Sequence, residues 1–78
     1  MLKFILEEET DKEVVYRYFL ESNEDSGLVS YNKEKKECSI ITLPDQDRHQ
    51  RYALKMFARI RDYATKGTFE KEGMIAWY

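Results

Sequence analysis

The chain has 78 residues, of which 42% are hydrophobic and 36% charged, so it has room for one core and is too apolar for a disordered segment. Its formal net charge of -2 gives the molecule as a whole no pull toward nucleic acid. The single cysteine, Cys38, excludes an internal disulfide framework and a cysteine-rich zinc cluster, and it fits a reducing, cytoplasmic setting.

In chain order, Leu2, Phe4 and Leu6 alternate with Lys3, Ile5 and Glu7, the period of two expected of a strand with one better-buried face. The same segment runs straight into Glu7, Glu8 and Glu9 and does not resemble the apolar stretch of a signal peptide. After the break at Glu8 to Lys12, Val14, Tyr16, Tyr18 and Leu20 line one face of a second strand and Val15, Arg17 and Phe19 the other. Ser22 to Gly27 is rich in turn formers and leads into a third strand, Leu28 to Tyr31. Asn32 to Lys36 is a charged tip, and the β-branched run Cys38 to Leu43 is a fourth strand closed by Pro44.

Pro44-Asp45 opens a helix signal, because an aspartate at that point can accept the free N–H groups of a first helical turn. Lys66-Gly67 closes the helix, a cation meeting the negative end and a glycine able to turn left-handed. At helical spacing, His49, Ala53, Met56, Phe57, Ile60, Tyr63 and Ala64 form one apolar face, and Arg48, Arg51, Tyr52, Lys55, Arg59 and Asp62 form a mostly basic stripe opposite it. Met74 to Tyr78 reads as a fifth strand and is the longest unbroken apolar run. It is far short of the ~20 residues of a membrane-spanning helix, so no membrane association is expected.

The order β-β-β-β-α-β over residues 1–78 predicts a single α+β domain: an antiparallel meander of four strands, one amphipathic helix on one sheet face and a returning C-terminal strand. That last strand can pair with the first, in the order 4-3-2-1-5, or with the fourth by a parallel crossover, and the first arrangement is favoured. A single helix covers one face only. The eleven aromatic residues exceed what one small core encloses comfortably, and aromatics are enriched in interface cores. The expected function is therefore that of a protein-protein interaction or self-associating module, most simply a homodimer. Its candidate interface is the helix-free sheet face, with Val15 and Phe19, or the edge strand ending in Trp77 and Tyr78.

Charge is unevenly placed. Residues 45–66 carry six basic and three acidic side chains, whereas residues 1–44 carry six and ten. The stripe of Arg48, Arg51, Tyr52, Lys55 and Arg59 is thus the candidate contact for nucleic acid or another polyanion, set against the bland alternative of a solvated helix face. The acidic run Glu7 to Glu9, with Asp11 and Glu13, reads as a solvated hairpin end that could meet the same stripe on a second copy.

Asp45, Asp47 and His49 form a D-x-D-x-H string, but on a helix Asp47 points roughly 200° away from the other two, so three metal ligands do not converge. The simpler reading has the acids at the positive helix end, with Asp47 paired to Arg51 four residues on. A Cys38–His49 pair, or a small-molecule pocket between helix and sheet near these two residues and the tyrosines, is a third possibility. The chain has no Gly-rich phosphate loop, G-x-S-x-G, H-E-x-x-H or C-x-x-C, and Gly27, Gly67 and Gly73 all fall at predicted element boundaries. The sequence thus predicts no catalytic residues, cofactor or metal site.

Overall fold

The computed structural model describes residues 2–20, 26–47 and 50–75. Strands β1 (Leu2–Glu9), β2 (Glu13–Phe19), β3 (Ser26–Asn32) and β4 (Glu37–Thr42) form the expected meander. A 3-10 turn (Asp45–Asp47), helix α1 (Arg51–Lys66) and strand β5 (Glu72–Ile75) follow. The strands make one open sheet in the order β4-β3-β2-β1-β5. β5 pairs antiparallel with β1 through Leu2 with Ile75 and Phe4 with Gly73, which decides between the two placements the sequence leaves open.

Alternation along the strands sets the core. Leu2 and Phe4 of β1, Val14, Tyr16 and Tyr18 of β2, and Val29 and Tyr31 of β3 are all buried on the face that α1 covers, together with Leu20. The helix contributes Ala53, Met56, Ile60 and Tyr63, at the three- and four-residue spacing that places them on one side. Phe57 and Ala64 pack at its flanks. Phe4, Tyr16 and Tyr63 form the aromatic centre, with Phe4 and Tyr16 edge to face at 5.6 Å between centroids, the geometry that ring quadrupoles favour.

The helix starts later than the sequence suggests. Asp45 is exposed on the 3-10 turn and does not cap it; α1 begins at Arg51 because Gln50 is left-handed, at φ 62°, and interrupts the helical path. Capping falls to Asp47, whose carboxylate accepts the N–H groups of Tyr52 and Ala53, each at 2.9 Å, and the hydroxyl of Tyr18 at 2.8 Å. Asp47 is only 2% exposed, so it serves as a core acceptor and not as the surface partner of Arg51. The other end is as expected: Gly67, at φ 81°, donates its N–H to the carbonyls of Tyr63 and Ala64, closing the helix in a left-handed cap.

Two of the glycines lie inside strands, not at boundaries. Gly27 pairs with Tyr18 across β2 and β3, and a Cβ there would sit 2.3 Å from the Tyr18 ring. Gly73 pairs with Phe4 and leaves the same kind of space, 2.6 Å from that ring. In both cases the missing side chain lets an aromatic ring lie flat across the neighbouring strand.

Gly27→Ala should destabilise the protein by about 2 kcal/mol, because the Tyr18 ring is held from its far end and cannot yield. Asp47→Ala should cost about 3 kcal/mol, since it removes the cap and leaves a buried hydroxyl without an acceptor; urea denaturation measures both. Burial, then the hydrogen bond and charge of Asp47, raises the Tyr18 phenol well above its ordinary range, and burial raises Tyr16 likewise. A phenol that ionises later in the folded than in the unfolded chain contributes stability that is intact below about pH 10 and declines above it. Absorbance titration should therefore show two tyrosines ionising last, together with alkaline unfolding.

Candidate functional site

The uncovered sheet face carries Ile5 of β1, Val15 and Phe19 of β2, Leu28 of β3 and Met74 of β5, placed by the cross-strand pairs Leu28 with Arg17, Arg17 with Ile5, and Lys3 with Phe19 and Met74. Among the described residues the exposed large hydrophobics are Ile5 at 38%, Met74 at 51%, Ile41 at 54% and Leu54 at 55%. Only Leu54 belongs to the helix; Ile41 is the extra residue of a bulge in β4. Of the sequence-predicted interface residues, Val15 is buried and so offers little surface to a partner, and Phe19 is half-buried on this face, while Trp77 and Tyr78 lie outside the described residues. Arg17 occupies the middle of the face and is held on both sides, by Glu7 at 2.7 Å and by the Ser26 hydroxyl at 2.7 Å. Glu7 reaches it because a bulge between Leu6 and Glu8 shifts the β1 register, which turns an extra carboxylate onto this face.

The predicted basic stripe is divided by packing. Arg51 is exposed, Tyr52 packs against the core, and the Arg59 guanidinium lies 5.9 Å from the centroid of the Phe4 ring, within cation–π range. Asp62 pairs with Lys66 at 3.2 Å. Arg48 lies outside the described residues. In the acidic run, Glu7 is taken by Arg17 and Glu9 by Lys33, the latter at 3.2 Å, whereas Glu8, Asp11 and Glu13 are exposed.

Asp45 and Asp47 do not form a ligand pair, since one is exposed and the other fully engaged in the core. His49 lies outside the described residues. Among the described residues no three His, Cys, Asp or Glu side chains gather as a metal-binding group. Cys38, on β4 opposite Tyr31, has Arg61 of α1 as its polar neighbour. Burial raises its thiol pKa, and the Arg61 guanidinium, by its charge and hydrogen bond, only partly offsets that.

A cleft opens between the β3–β4 turn and the last turns of α1, on the Tyr31 and Cys38 side of the pocket region expected between helix and sheet. It consists of two adjoining concavities of about 260 and about 310 Å³ that share Tyr31, Lys36 and Ala64. Lys33 and Phe69 line the first, Arg61 and Thr65 the second. Phe69 tilts against Tyr31 at 6.1 Å, with the Lys33 ammonium 5.3 Å from its ring centroid. The turn itself is shaped by Asn32, whose side-chain oxygen accepts the N–H groups of Glu34 and Lys35 at 2.9 Å each. Lys36 then adopts φ 58°, a left-handed conformation usually reserved for glycine or asparagine. The signal available in the sequence was a tight turn, Asn32 to Lys36, containing no glycine.

Comparison with known protein families, with curated proteins and with solved structures finds no match to this chain.

Because Arg61 favours the thiolate of Cys38 while burial opposes it, Cys38 should alkylate more slowly than an unhindered thiol at neutral pH. Arg61→Gln should slow it by a further severalfold; iodoacetamide rates measured against pH check both statements.

Proposed function

We propose that this protein is a self-associating interaction module whose uncovered sheet face packs against the same face of a second copy. The observation that carries the reading is the set of solvent-exposed Ile5 and Met74 around half-buried Phe19 and Leu28 on that face, with Ile41 exposed in the β4 bulge. Five strands averaging about six residues, at about 4.8 Å between strands and 3.3 Å per residue, present roughly 500 Å². Two such faces bury roughly 1,000 Å², at the lower bound of about 1,000 Å² for a specific interface and below the usual size, so the dimer is a weak one.

Electrostatics favour a second copy over a strongly charged partner. Lys3 and Arg17 are set among Glu7, Glu8 and Glu72 on or beside this face, so two identical faces meet with no large charge of one sign and with a carboxylate near each cation. Arg17 is already bonded to Glu7 and Ser26, so its burial leaves no unpaired charge, although desolvating the pair limits affinity.

Light scattering coupled to size exclusion, at low and at high salt, tests the reading. The expected mass is that of a dimer at both salts when the chain is loaded well above micromolar concentration. Ile5→Lys combined with Met74→Lys should return it to a monomer, weakening association tenfold or more (about 1.4 kcal/mol) without unfolding, because both side chains are exposed in the single copy. A monomer at both salts, at every concentration tested, defeats the proposal.

A further inference from the structure

The cleft between the β3–β4 turn and the end of α1 has features that neither the core nor the sheet face accounts for. Lys36 and Arg61 both line it, one from the turn and one from the helix. Among the described residues neither has an ion-pair partner, whereas Lys33, beside them, is neutralised by Glu9 and Lys66 by Asp62. Two like charges facing one concavity repel, and an anion placed between them would reverse the sign of that interaction. Lys36 also holds a left-handed backbone at a turn position where glycine or asparagine would be free of strain. A turn selected for stability alone has no need of a lysine there.

The walls limit what kind of anion fits. Tyr31, Ala64 and Phe69 give the cleft an apolar side, continuous with the cationic side through Lys36. The nearby helix end is the negative end of α1, but the carbonyls of Tyr63 and Ala64 are occupied by the N–H groups of Gly67 and Thr68. The formal charges lining the cleft are those of Lys36 and Arg61 and of the Lys33–Glu9 pair, which cancel each other. A carboxylate would be satisfied by the guanidinium fork alone, whereas a phosphate has enough oxygens to meet the planar fork of Arg61 and the point charge of Lys36 together.

We propose that this cleft binds a small phosphate monoester carrying a flat ring, the chemical class of the mononucleotides, with the phosphate between Lys36 and Arg61 and the ring against the Tyr31–Phe69 wall. The proposal is independent of self-association, because the cleft lies on the helix side of the sheet and the dimer face on the other.

The test is a titration of the isotopically labelled full chain, followed by amide resonances, with adenosine monophosphate, adenosine and inorganic phosphate as separate probes. Adenosine monophosphate should shift the amides of Lys36, Arg61 and Thr65 with a dissociation constant on the order of 0.1–1 mM, as suits an open site with two cations. Lys36→Asn retains a residue that tolerates the left-handed turn, and Arg61→Gln changes an exposed side chain. Each should weaken binding about fivefold or more while leaving the remaining resonances in place. Three outcomes overturn the proposal: adenosine binding as tightly as the monophosphate, equal binding by the double variant, or no shift at Lys36 and Arg61 up to about 10 mM ligand. Inorganic phosphate binding as tightly as the monophosphate overturns the assignment of the ring.

Discussion

Asp47 holds the helix to the sheet. Its carboxylate, buried in the core, takes two backbone N–H groups from the first turn of α1 and the hydroxyl of Tyr18 from β2. Tyr18 can reach it only because Gly27, its cross-strand neighbour, has no side chain in the path of the ring. Sheet register, ring position, carboxylate and helix start thus form one chain of dependence, and a partly satisfied version would be worse than none, since an unpaired charge in a core is heavily penalised.

A second tyrosine of the same strand secures the segment after the helix. The Tyr16 hydroxyl donates to the carbonyl of Glu70 at 2.6 Å, and the Leu6 N–H donates to that of Lys71 at 2.7 Å. These bonds bring the chain back beside β1, where Phe4 lies over Gly73. With both ends of the connection fixed, the 16-residue helix, about 24 Å long, spans one sheet face and no more. Both surfaces discussed above follow from that geometry. The opposite face leaves Ile5 and Met74 in solvent, and the β3–β4 turn projects past the flank of the helix and encloses a cleft with its last turns.

Most of the architecture was legible in the sequence because it rests on periodicity. Leu2 and Phe4, then Val14, Tyr16 and Tyr18, repeat every second residue, and Ala53, Met56, Ile60 and Tyr63 every third or fourth; all are buried where those periods place them. The glycine stop at Gly67 was equally clear. Two features escaped, and a third, the cleft, was legible only as a pocket between helix and sheet. A helical wheel places Asp47 on the surface near Arg51, because it carries no information about Tyr18, which is distant in the chain. The bulges that bring Glu7 to Arg17 and expose Ile41 break the period on which strand reading relies. The cleft arises where a turn, a helix end and the Phe69 segment meet, and no local pattern joins them.

The sequence by itself determined the kinds of elements, their order and the buried face of each, because these follow from spacing and from local conformational preference over a few residues. Tertiary structure decided where the helix begins, which strand receives β5, and, among the described residues, which carboxylates Arg17 and Lys33 pair with. Those outcomes depend on hydrogen bonds and charges between residues far apart in the chain. A buried carboxylate goes to the donors that the fold supplies, not to the nearest arginine in sequence, since in the core an unmet hydrogen bond costs more than a surface ion pair returns.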